Sequence, residues 1–167
     1  MKYSLSVTIN AMITLFILLH KYSKIVLDEG YGSYPLKKIR IPGVILMCKT
    51  SVVEDNATFR EMIKEILHSR FPTMKIEEEP DGSGLFRKMD AFHPNIVFMD
   101  IRLPGENGLE LTKKIKAIYP DVTVVILTSY DLPEYRQAAL QSKADHFVSK
   151  DSQTSGFLAL VESICPA

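Results

Sequence analysis

In the run Ile96-Val97-Phe98-Met99-Asp100 four consecutive apolar residues end on a carboxylate, and Ile101-Arg102-Leu103-Pro104-Gly105-Glu106-Asn107-Gly108 follows. A short strand that is apolar on both faces is what a parallel sheet covered on both sides produces. Residues 123–127, Thr-Val-Val-Ile-Leu, read the same way. On either side, residues 50–53, 75–78 and 146–148 supply three more strand candidates. Between the strands, Phe59, Met62, Ile63, Ile66 and Leu67 recur at helical spacing, as do Leu109, Leu111, Ile115 and Ile118. Residues 133–142 and 154–164 add two helices, and residues 85–91 a weaker one. Strand-then-helix alternation predicts an α/β class domain, a doubly wound five-stranded parallel sheet with right-handed crossovers and helices on both faces. A ligand site is then expected outside the carboxyl ends of the strands.

The chain has 167 residues, enough for one domain of ~100–200 residues with an extension and too few for a multidomain enzyme. Apolar residues make up 46% and charged residues 24%, the composition of a chain that builds a core. Twenty basic residues balance twenty acidic ones, so the large positive excess of a dedicated nucleic-acid binder is missing and no direct nucleic acid binding is expected. Cys48 and Cys165 are far apart in sequence and are expected to be thiols.

The balance hides an asymmetry. Residues 1–46 hold six basic residues (Lys2, Lys21, Lys24, Lys37, Lys38, Arg40) against Asp28 and Glu29, a net of +4, which leaves 14 basic and 18 acidic residues, −4, in the remainder. Residues 3–19 carry no charge, yet Ser4, Ser6, Thr8, Asn10 and Thr14 dilute their apolar character, at the lower limit of the ~20 residues that span a bilayer. The stretch ends Leu18-Leu19-His20-Lys21-Tyr22 without an Ala-x-Ala cleavage pattern, which argues against a signal peptide. Two readings of this N-terminal hydrophobic extension stand side by side. One is a membrane anchor whose basic flank keeps the rest of the chain cytoplasmic. The other is a spurious extension, with translation starting at Met47. Residues 28–43, with Gly30, Gly32, Pro35, Pro42 and Gly43, read as linker in both. The domain division is therefore 1–46 and 47–167.

At the strand ends stand Glu54-Asp55-Asn56, Asp100, Thr128-Ser129 and Lys150. Carboxylates brought close together resist joint ionisation unless a cation offsets them. Three acids and one amine therefore suggest a site for a hard cation such as Mg²⁺, which often shares its coordination with phosphate. The structural alternative for any single acid is helix capping, and Asp55 or Asn56 suits that role.

These blocks resemble the response-regulator receiver domain of two-component signalling, over residues 49–164. The resemblance rests on Glu54-Asp55, on Asp100 through Gly108, on Thr128-Ser129 and on Phe147-Val148-Ser149-Lys150, in that order and spacing. It implies a flavodoxin-like fold with strand order 2-1-3-4-5. It implies that Asp100 is the phosphoacceptor, that Asp55, Asp100 and the backbone carbonyl of Arg102 bind Mg²⁺, and that Glu54 acts through a water. Thr128 and Lys150 would assist the phosphoryl group, Thr128 and Phe147 would form a conformational switch, and Arg102 and Tyr130 would border the path of the water that removes the phosphate. The implied partners are a sensor histidine kinase or phosphotransfer protein and a downstream protein, with a homodimer left open. Such a protein is a phosphoacceptor that catalyses only its own modification.

Departures from the family pattern bear on these expectations. Glu54 replaces the more frequent Asp, Lys143-Ala144 stands where Gly-Ala is usual, and Asp151 replaces Pro after Lys150. The Lys-Asp form looks like the branch whose receivers often precede a helix-turn-helix output domain; with the sequence ending at Ala167, a stand-alone receiver or a truncated regulator is expected. One rival is a receiver-like interaction module that is never phosphorylated. Another is a haloacid-dehalogenase-like phosphatase, which needs Asp-x-Asp where this chain has Asp100-Ile101-Arg102. His20, His68, His93 and His146 lack metal-ligand spacing, Glu77-Glu78-Glu79 reads as strand-end surface, and Met62, Met89 and Met99 read as core filling.

Overall fold

The chain is described by a computed structural model that covers residues 47–165. The expectations for residues 1–46, anchor and linker included, lie outside the described residues. Apolar runs become strands β1 (Lys49–Val53), β2 (Lys75–Glu79), β3 (Ile96–Met99), β6 (Thr123–Thr128) and β7 (His146–Ser149). They pair in parallel in the order β2-β1-β3-β6-β7. Two-residue strands β4 (Arg102–Leu103) and β5 (Glu106–Asn107) form a small antiparallel hairpin that the periodicity did not show. Pro104 followed by Gly105 at φ 75° is the residue order a type II turn requires.

Helices α1 (Ala57–Arg70), α2 (Leu85–Phe92), α3 (Gly108–Ile118), α4 (Pro133–Gln141) and α5 (Thr154–Ile164) follow the strands. Alternation along each strand sorts the core into two layers. Val52, Ile96, Phe98, Val125 and Leu127 pack with Ile63 and Leu67 of α1 and Phe157 and Val161 of α5. Val53, Val97, Met99, Val124 and Ile126 pack with Leu85 and Met89 of α2, Leu111 and Ile115 of α3, and Ala139 of α4. All of β3 is buried, as its apolar run demands.

Three expectations are corrected here. Cys48 and Cys165 are joined in a disulfide, their Cα atoms 5.8 Å apart. Each crossover helix runs back antiparallel to its strand, so the C-cap of α5 returns to the edge where β1 begins; separation in sequence says nothing about that. Met62 is 41% exposed rather than core, because it lies on the flank of α1 outside the Ile63–Leu67 stripe. Glu79 is buried and paired with Lys88 at 2.9 Å, since the last residue of β2 turns in beneath α2.

Lys143 does occupy the left-handed region that its usual glycine would favour, at φ 64°. Its amide donates to the Leu140 carbonyl at 3.0 Å, and that of Ala144 to Ala139 at 3.1 Å, so the turn is held by its neighbours. Left-handed backbone costs a side chain about 1–2 kcal/mol, and glycine's extra chain entropy returns about 0.5–1 of that. Lys143→Gly is expected to stabilise the protein by about 0.5–1 kcal/mol, read as a rise of roughly 2–4 °C in thermal melting. A fall in Tm would mean that the exposed Lys143 side chain contributes more than its backbone strain costs.

Candidate functional site

The sheet register assembles the site. Val53 and Met99 are partners, so Glu54 and Asp100 emerge side by side, with the Asp100 amide donating to the Val53 carbonyl at 2.9 Å. Thr128 and Ser149 are partners one step along, and the Lys150 amide donates to the Thr128 carbonyl at 2.9 Å. The ends of β1, β3 and β7 thus bring Glu54, Asp55, Asp100 and Lys150 together, with Thr128 at the end of β6 between them.

Lys150 is the centre of charge. Its Nζ lies 2.5 Å from Glu54 Oε2 and 3.1 Å from Asp100 Oδ2, and it sits over the Phe59 ring at 4.7 Å. Glu54 is 3% exposed and Asp100 7%, whereas Asp55 is exposed. Burial pushes the Glu54 carboxyl above its ordinary value; the Lys150 hydrogen bond opposes this and the Asp100 charge adds to it. One oxygen from each of Glu54, Asp55 and Asp100 lies within 4.8 Å of the others. Three hard oxygen donors, two of them paired with the Lys150 ammonium, make a donor set that fits Mg²⁺. Asn56 caps α1, accepting from the Phe59 amide at 3.0 Å, which leaves Asp55 free of that duty.

Asp100 is held in place from behind. Its Oδ1 accepts from the Ile101 amide at 2.8 Å, leaving Oδ2 toward Lys150. The first turn of α3 presses against it: a Cβ on Gly108 would fall 1.8 Å from the Asp100 carbonyl oxygen. Gly108 is therefore needed for close approach, a role that its place at the end of the quoted run did not reveal. Gly108→Ala forces α3 away from Asp100, an overpacking expected to cost about 3 kcal/mol and to lower Tm by roughly 6–12 °C. A melting point within about 2 °C of the wild type would show that the start of α3 moves aside at little cost.

At the rim the guanidinium of Arg102 stacks on Tyr130 at 4.0 Å from the ring centre and donates to the Tyr135 hydroxyl at 3.0 Å. Tyr130 and Tyr135 have ring centroids 5.5 Å apart, so three side chains form one cap. Tyr135 was not identified from the sequence; its place two residues after Pro133, in the first turn of α4, is the only sequence signal that it could face Tyr130. The Thr128 hydroxyl is buried and accepts from the Tyr130 amide at 3.3 Å. Phe147 is half-buried under Arg136, whose guanidinium lies 4.6 Å from the ring centre and is held by Asp131 at 2.6 Å. Phe147 is thus engaged by Arg136 of α4, while Arg102 and Tyr130 stand together. Among the described residues no helix is long and apolar enough to cross a membrane.

Comparison with known proteins agrees with this geometry. Residues 51–162 match the model of the response regulator receiver domain. The chain is 28% identical over 113 residues to the transcriptional regulatory protein DegU of Brevibacillus brevis, covering 68% of this chain and 47% of that protein. It is 30% identical over 118 residues to the transcriptional regulatory protein LnrK of Bacillus subtilis, covering 71% and 54%. Among solved structures it resembles a two-component response regulator of the LuxR family from Aurantimonas, with TM-score 0.66 and 25% identity over 71% of this chain and 85% of that one. The chain spans about half the length of the curated relatives it matches.

The expectation of no direct nucleic acid binding is overturned by these relatives, which are transcriptional regulatory proteins. Net charge misled because it averages over whatever residues are counted, and the receiver match leaves half of each relative uncounted. Phosphorylation and Mg²⁺ binding are typical of this family, and its receivers are signalling domains rather than classical enzymes. With the sheet order, the acid cluster, the Lys150 pairing and the match over residues 51–162 in agreement, the chain belongs to the response regulator receiver domain family.

Proposed function

We propose that residues 47–167 form a receiver that accepts a phosphoryl group on Asp100 from a sensor histidine kinase or a phosphotransfer protein, and relays the change to a transcription-regulating output that meets DNA through a partner domain. Residues 1–46 are an extension to it. The observation that carries this reading is Lys150 bridging Glu54 and Asp100 while Asp55 completes a three-carboxylate cluster.

Glu54, Asp55, Asp100 and the carbonyl of Arg102 would hold Mg²⁺, which when bound neutralises charge on the transferring oxygens. Asp100 Oδ2, the oxygen facing Lys150, attacks phosphorus; the bond to the leaving group breaks as the acyl phosphate forms, and the leaving group departs with its electron pair. Lys150 exchanges its Asp100 contact for a phosphoryl oxygen. Thr128 turns its hydroxyl from the Tyr130 amide to donate to another, and the space it leaves admits Phe147 once Arg136 releases the ring.

Intact mass spectrometry tests this directly. Acetyl phosphate with Mg²⁺ is expected to add a single phosphoryl group of about 80 Da. Full labelling in EDTA would reject the metal requirement, and no labelling with Mg²⁺ would favour the interaction-module reading.

The Arg102–Tyr130–Tyr135 cap lies where water would approach the acyl phosphate, so phosphate loss is expected to be slow. Arg102→Asn combined with Tyr130→Ala should shorten the half-life of the phosphoprotein about tenfold, equivalent to about 1.4 kcal/mol of barrier. An unchanged or longer half-life would reject shielding.

A further inference from the structure

Asp55 poses a question that the acid cluster does not answer. Among the described residues no hydrogen bond or ion pair holds its carboxylate, and the side chain is exposed, so only the backbone can aim it at Asp100. That backbone is gripped by one side chain. Arg60, 14% exposed in the first turn of α1, donates from Nη1 to the Glu54 carbonyl at 2.6 Å and to the Asp55 carbonyl at 3.0 Å. Its Nε donates to Glu78 Oε2 at 3.1 Å, and the other oxygen of Glu78 is paired with Lys64 at 2.8 Å. The two cations keep the Glu78 carboxyl below its ordinary value, Lys64 contributing most; the anchor on β2 is therefore an anion clamped from both sides.

We propose that Arg60 is a positioning residue for the divalent cation: by fixing two consecutive carbonyls of the β1–α1 loop against Glu78, it sets the direction in which Glu54 and Asp55 present their carboxylates. A planar guanidinium suits this task because it offers several donors in one rigid plane, whereas an ammonium is a single point of charge. Groups that orient ligands without touching the ion commonly change metal affinity 10–100-fold when removed. The inference rests on the Mg²⁺ reading above and adds a residue that the acid motif does not contain.

The test is a Mg²⁺ titration of the full chain, followed by the amide resonances of Asn56 and Ile101, with Tm recorded for every variant. Arg60→Ala is expected to weaken Mg²⁺ binding about tenfold, Arg60→Lys to recover only part of the loss, and Glu78→Gln to weaken binding about threefold. Asp55→Asn is the reference for a lost ligand. If the wild type itself shows no saturable Mg²⁺ binding, the metal reading fails and this inference falls with it. If the wild type binds and Asp55→Asn does not, but Arg60→Ala binds with wild-type affinity while melting lower, Arg60 is only structural and the proposal is overturned. Should Arg60→Ala not fold, unchanged affinity in both Arg60→Lys and Glu78→Gln overturns it equally.

Discussion

Asp100→Asn is expected to accept no phosphoryl group from acetyl phosphate at any Mg²⁺ concentration while remaining folded. The amide has the shape of the carboxylate, and its oxygen can still accept from the Ile101 amide, the 2.8 Å bond that seats the side chain. Lys150 keeps its partner in Glu54 at 2.5 Å. What is lost is the nucleophile, since an amide oxygen does not form an acyl phosphate. One of the three carboxylates of the cluster goes with it, which weakens any cation site there. The expected readout is labelling at background beside a wild type that gains about 80 Da. Labelling of the Asp100→Asn protein at the wild-type rate would place the phosphate elsewhere and remove the basis for the proposed chemistry.

Reduction of the Cys48–Cys165 disulfide should produce the largest change in stability. The two residues are separated by 117 positions and close a loop around essentially the whole described domain. Chain-entropy arguments put the worth of a crosslink over a loop of about 100 residues near 4.7 kcal/mol, a large part of the 5–15 kcal/mol that holds a typical domain together. Melting with and without a phosphine reductant should therefore differ by roughly 10–20 °C. Cys48→Ser is the control, because its Tm should match that of the reduced wild type and stop responding to reductant. Equal melting of oxidised and reduced wild type would show that docking of α5 on β1 is secure without the bond.

Most of the fold was legible because burial on both faces leaves a mark that no local preference can imitate. Four apolar residues followed by Asp100 announce a strand in a covered parallel sheet, and the same pattern in residues 123–127 puts Thr128 at its end. The alternation of these runs with helical spacing determined the architecture, and four polar residues at four strand ends marked the site before any geometry was known. The β4–β5 hairpin leaves no mark in the sequence because two-residue strands have no period, and Met62 reads as core because a helix flank differs from its stripe by a single residue.

Pattern along the chain thus carries the strands, the carboxyl edge, and Glu54, Asp55, Asp100 and Lys150 as its occupants, and the resemblance adds the strand order. Contacts made across the fold were decided only by tertiary structure. Cys48 meets Cys165 because the last helix returns to the start of the first strand. Gly108 must lack a side chain because α3 begins against the Asp100 carbonyl. Arg60 reaches back over the acidic loop to Glu78, and Tyr135 comes to Arg102 across the top of the sheet. Each of these depends on the direction in which a side chain leaves its element, and direction is fixed by packing between elements that sequence separation does not encode.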